Sequence, residues 1–127
     1  MGSVLEVRVP QLVPESPNTP NFHWAQKARK VTKVRSAVAL ILSQHTPPPL
    51  PLVVTLTRES TGLLDGHDNL AGSLKGCVDQ VAIWIGLPRN KRGHANDADP
   101  RVTWRYEQRR VKRAEQGTRI RFEGRDG

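Results

Sequence analysis

A chain of 127 residues, 36% of them hydrophobic, has the size of one domain with one modest core. Twenty Lys and Arg against twelve Asp and Glu give a formal charge of +8 and an isoelectric point near 10.6, the electrostatic footprint of a nucleic-acid binder. The single cysteine excludes an intrachain disulfide, and no apolar run approaches the ~20 residues of a membrane helix.

Residues Val4 to Val9 alternate, with Leu5, Val7 and Val9 facing one way and Glu6 and Arg8 the other. This predicts a half-buried strand ended by Pro10. Glu6, Arg8 and Pro10 also interrupt any secretory apolar stretch after Met1, so a cytoplasmic protein is expected. Pro14, Pro17 and Pro20 make an irregular link, and Asn21 is placed to cap a helix. From His23 to about Gln44, Trp24, Ala28, Val31, Val38 and Leu42 recur at helical spacing, flanked by Val34 and Ile41. Pro47, Pro48 and Pro49 follow. Leu52 to Thr57 is rich in β-branched residues and reads as a second strand.

A turn over Gly62 to Gly66 leads into a second helix, which runs from Asp68 to near Gly86. The stretch from Pro88 to Pro100 reads as a loop. Val102, Trp104 and Tyr106 alternate with Thr103, Arg105 and Glu107 in a third strand. Thr118 to Phe122 forms a fourth, with Ile120 and Phe122 inward, joined to the third as a hairpin by the charged turn Arg109 to Gly117. The expected fold is α/β (α+β): one small domain over residues 1–127, in β-α-β-α-β-β order, with a mixed sheet packed by two helices and no internal repeat.

The second helix carries the chemistry. At ~100° per residue, Asp68 and Asp79 fall within about 20° of each other, with Lys75 between them in angle. Leu70, Leu74, Cys77, Val78, Val81 and Ile85 take the opposite face. Asp65 stands just before this helix, and Asp97 and Asp99 lie in the downstream loop. Convergent carboxylates in a basic chain point to a divalent cation acting on a phosphate. Each residue also has a plainer reading. Asp68 would serve as a helix N-cap worth ~1 kcal/mol, Asp79 as an i, i+4 ion-pair partner of Lys75, and Asp97 and Asp99 as an acidic turn before Pro100. Hard oxygen ligands suit Mg²⁺ or Mn²⁺. No Cys cluster supports zinc, and His67 and His94 lie near the acids. Phosphate-binding glycine motifs are absent, so no nucleotide cofactor is expected.

Basic residues form two runs. Lys27, Arg29, Lys30, Lys33 and Arg35 crowd the first helix, and Arg105, Arg109, Arg110, Lys112 and Arg113 crowd the last hairpin; Arg89, Lys91 and Arg92 sit in the loop between. A charge run is ordinarily a solvated face, but runs on separate elements suit two stretches of phosphate backbone. Lys27, Lys30, Lys33, Arg89, Lys91, Arg92, Arg105, Arg109 and Arg110 are the candidate DNA contacts.

This order and these residues resemble the RusA-type Holliday junction resolvases, small endonucleases common in phages and prophages. Asp68-Asn69-Leu70 matches the Asp-Asn-Leu core of the family signature, with Asp65 ahead of it. Lys75 and Asp79 repeat the Lys-x-x-x-Asp spacing, and Asp97-Ala98-Asp99 before Arg101-Val102 is similar to the acidic cluster preceding the third strand. Asn21-Phe22-His23-Trp24 at the first helix is also similar. The signature usually reads Asp-x-Asp-Asn-Leu; this chain has one more residue between its acids, and its Lys75 lies about one helical turn further from Asp68.

The resemblance implies a metal-dependent crossover junction endodeoxyribonuclease working in DNA recombination and repair. Its substrate would be branched DNA, a four-way junction nicked in pairs by a homodimer. Asp68, Asp99, Lys75 and Asp79 would be catalytic, and Asp65, Asp68 and Asp99 would hold the metal. The rival expectation is a basic nucleic-acid-binding protein that keeps the fold without an active metal site.

Overall fold

Alternating and helical patterns become four strands and three helices in a computed structural model, which describes residues 4–14, 24–89 and 98–125, with backbone alone for residues 24–28 and 31. The elements are β1 (Val4–Pro10), α1 (Trp24–Leu42), β2 (Leu52–Ser60), α2 (His67–Ser73), α3 (Lys75–Trp84), β3 (Val102–Arg110) and β4 (Gly117–Gly124). Their order is the expected one, and the sheet is mixed. Asn21 and most of the 88–100 loop lie outside the described residues.

The sheet order is β1-β4-β2-β3. β1 and β2 both run antiparallel to β4, whereas β2 and β3 are parallel. This corrects the expected hairpin, because β2 lies between β3 and β4. The charged connection, with a 3₁₀ turn at Arg113–Glu115, therefore spans the width of β2. A parallel pair cannot close through a tight turn, and here the crossover between β2 and β3 is made by α2, α3 and the following loop.

The second expected helix is two helices. Leu74 has φ −92° and ψ 0°, which interrupts the helix between Ser73 and Lys75. Hydrogen bonding nearly bridges the break: the Leu74 N–H reaches the Leu70 and Ala71 carbonyls at 3.2 Å, and the Val78 N–H reaches the Leu74 carbonyl at 3.0 Å. Gly72 and Gly76 flank it, each costing roughly 1 kcal/mol of helix propensity against Ala. Asp68 and Asp79 therefore stand on separate helices, and the angle calculated for one continuous helix does not apply.

The apolar stripe survives the break. Leu70, Leu74, Cys77, Val78, Val81 and Ile85 are all buried, together with Val38 and Leu42 of α1 and Val7, Val9, Leu52, Val54, Leu56, Val102, Ile120 and Phe122 of the strands. Each such side chain contributes about 1.5–3 kcal/mol when fully removed from water. Trp84 packs on Phe122 with ring centroids 5.3 Å apart. Trp104 and Tyr106 also pack against this core. Burial pushes the Cys77 thiol up to about 12, so it fills space as an inert thiol.

β2 runs three residues further than its β-branched segment. Arg58, Glu59 and Ser60 are buried at its end and fully hydrogen-bonded. Arg58 Nε donates to the Pro14 carbonyl at 2.8 Å and Nη1 to the Gly62 carbonyl at 3.0 Å. Ser60 Oγ donates to Gln116 Oε1 at 3.3 Å. Buried polar groups are tolerated only when so paired.

Candidate functional site

Asp65 and Asp68 lie at the entrance to α2. Gly66 adopts φ +78°, a conformation that L side chains rarely accept, and turns the chain into the helix. The Asn69 side-chain amide donates to the Asp65 carbonyl at 2.7 Å, and Leu70 is buried beneath. The Asp-Asn-Leu triplet thus divides its work: Leu70 anchors, Asn69 ties the turn, and Asp68 stays in solvent with Asp65. Neither carboxylate takes a hydrogen bond or ion pair from the described residues. Gly66 occupies the N-cap position, so Asp68 is in the first turn and is not the cap.

The other candidate acids are engaged. Asp79 Oδ1 accepts Lys75 Nζ at 3.1 Å, the expected i, i+4 ion pair. Its second oxygen accepts Arg35 Nη2 at 3.1 Å, reaching across from α1. Asp99, only 7% exposed, is clamped by Arg101: Nε and the backbone N–H donate to Oδ1 at 3.0 and 2.9 Å, and Nη2 donates to Oδ2 at 3.0 Å. Hydrogen bonds from Arg101, foremost from its side chain, hold the Asp99 carboxyl below the usual carboxylate range.

These acids are on different elements. The exposed His67 ring at the start of α2 meets Tyr106 edge-on at 5.9 Å. Tyr106 is four residues, a rise of roughly 13 Å, beyond Val102 on β3, and Asp99 precedes that strand. Among the described residues there is no group of three or more His, Cys, Asp and Glu arranged to hold a metal ion. Asp97, His94, Lys91 and Arg92 lie outside the described residues, as does the side chain of Lys27. Lys30 and Lys33 are exposed on α1, Arg89 after α3, and Arg105, Arg109 and Arg110 on β3.

Sequence reasoning did not single out Arg35 or Arg101 as partners of the acids. Arg101 had a local signal, a basic side chain two residues after Asp99 at a strand entry. Arg35 had none, because its bond to Asp79 depends on how α1 crosses α3. A third network was also missed. Glu59, with its side chain 4% exposed, accepts Arg8 Nε at 3.0 Å and Arg119 Nη2 at 3.4 Å, and Arg119 Nη1 also donates to Glu6 at 2.7 Å. Period-two alternation places these residues on the sheet face opposite the helices.

No protein-family model matches the chain, and no curated protein matches it. No helix among the described residues is long and apolar enough to cross a membrane.

Proposed function

We propose that this protein is a Mg²⁺-dependent endodeoxyribonuclease that cuts branched DNA at four-way junctions, with Asp65 and Asp68 at its centre. The observation that carries the reading is the two exposed carboxylates of Asp65 and Asp68, three residues apart at a turn tied by Asn69, which take no hydrogen bond or ion pair from the described residues of a chain of charge +8. A pair of hard oxygen donors suits Mg²⁺, which commonly binds one or two carboxylates and keeps its remaining waters for substrate phosphates. Bound there, the ion would polarise the scissile phosphate and supply an activated water. Mn²⁺ fits the same donors.

The chain's own residues have separable tasks. Asp65 and Asp68 hold the cation. Lys75, held 3.1 Å from Asp79 and more than half exposed, would stabilise a developing phosphate anion. Arg35 fixes the far oxygen of Asp79 and so fixes the geometry of that pair. Asp99, clamped by Arg101 before β3, stands apart from this pair. The exposed basic residues of α1 and β3 bind phosphates along the DNA arms.

The test is incubation with a synthetic four-way junction, with Mg²⁺ and with chelator. Paired nicks in Mg²⁺ alone are expected. Binding without cleavage under every metal condition supports the second reading, a nucleic-acid-binding protein without a working metal site. The full engagement of Asp79 and Asp99 by cationic side chains favours that second reading.

A further inference from the structure

The helix-free face of the sheet has its own organisation. Strand register aligns Glu6, Arg121, Thr55 and Arg105 in one row across β1, β4, β2 and β3. Neighbouring strands are ~4.8 Å apart, so the Arg121 and Arg105 backbones stand ~10 Å apart with Thr55 between them. Both arginines line an open cleft of about 370 Å³ together with Thr55 and Thr57.

Charge on this face is unevenly spent. Glu6 and Glu59 are neutralised by Arg119 and Arg8, Glu123 accepts Arg121 Nε at 3.1 Å, and the exposed Glu107 and Arg109 also line the cleft and offset one another in charge. The Nη groups of Arg121 are left over, and Arg105 makes no ion pair among the described residues. Two guanidiniums flanking a hydroxyl match a phosphate's acceptor oxygens, which arginine grips in bidentate fashion. Alternation turns Trp104, Tyr106 and Phe122 toward the helices, and the described residues place no aromatic ring on the open face. Bases therefore have no stacking platform here, and the contact falls to backbone phosphates.

We infer that the cleft between Arg105 and Arg121 binds the phosphodiester backbone of a duplex DNA arm, on the sheet face opposite the Asp65–Asp68 pair. This rests on the nuclease reading and adds to it: α2, which carries Asp68, meets β3 through His67 and the inward Tyr106, so the protein would grip DNA on two faces. A linear duplex occupies one of them, whereas a branched molecule has arms for both.

Fluorescence anisotropy with a labelled four-way junction, in chelator and across a salt series, tests the site. Replacing both residues (Arg105→Ala, Arg121→Ala) should weaken binding by roughly tenfold or more. It should also reduce the slope of log affinity against log salt by about two, one for each lost phosphate contact. The double lysine variant should restore the slope and part of the affinity, which a folding defect would not allow. Unchanged affinity and slope in the alanine variant, with cleavage intact, overturn this site and leave the nuclease reading standing. A change of molecular mass in that variant, without a change of slope, assigns the face to a second copy of the chain and overturns the proposal. Failure of the wild type to bind any junction overturns both.

Discussion

Asp68 has a small structural role. Gly66 holds the cap position, so the Asp68 carboxylate contributes to α2 only through the helix dipole, about 0.3–1 kcal/mol at an exposed site. Asp68→Asn should therefore shift thermal melting by less than about 1 kcal/mol, whereas single-turnover junction cleavage should collapse. Wild-type cleavage by this variant would remove Asp68 from the chemistry. Asp99 carries the opposite expectation. Its folded-state pKa is lowered by Arg101, so the stability it adds is present above the unfolded value of ~3.9 and lost as pH falls through the folded one. Carboxyl NMR should find Asp99 ionised below pH ~4 in the wild type. In Arg101→Ala its titration should move upward and acid unfolding should begin at higher pH. Coincident titration in both proteins would mean that the clamp does not form in solution.

Two glycines separate tolerance from constraint among the elements. A Cβ on Gly76 of α3 would lie 3.5 Å from Val34 Cγ1, an ordinary contact, so Gly76→Ala should stabilise the protein by roughly 0.5–1 kcal/mol. A Cβ on Gly117 would sit 2.9 Å from the Val9 carbonyl oxygen, which belongs to the paired backbone of β1. Gly117→Ala should cost about 1–3 kcal/mol by forcing those strands apart. Denaturant midpoints measure both, and a shared sign would show that the two environments are not distinguished. Element positions were largely legible because each has a clear local period. The split at Leu74 was not, since Leu74 stays in the apolar stripe and only a backbone twist marks the break. Nor was the end of β2, because Arg58, Glu59 and Ser60 read as a polar exit until distant partners bury them. The site followed the same rule. The local pair Lys75–Asp79 and the exposed Asp65 and Asp68 were readable, whereas Arg35 on Asp79 depends on a helix crossing that spans 44 residues.

At the scale of the whole molecule, the proposed Asp65–Asp68 site occurs once per chain, and two symmetric nicks in one encounter require two such sites. The resemblance to junction resolvases implies a homodimer whose two-fold axis matches that of the junction. Light scattering at micromolar concentration should report about twice the 14.2 kDa chain mass. A strict monomer, alone and on DNA, would leave a plain nuclease and end the paired-nick mechanism. The sheet order was beyond local patterning, because alternation says which side chains face inward but not which strands become neighbours. That order also governs when the protein can fold. β1 pairs with β4 alone, and Glu6 meets Arg119 across 113 residues. During synthesis β1 is made before the other three strands, yet it has no partner until residues 117–124 leave the ribosome. Until then Val7 and Val9 have no β4 to close over, and β2 lacks one neighbour. The nascent chain must carry an open strand while every intervening element is made, and the sheet closes in a long-range step.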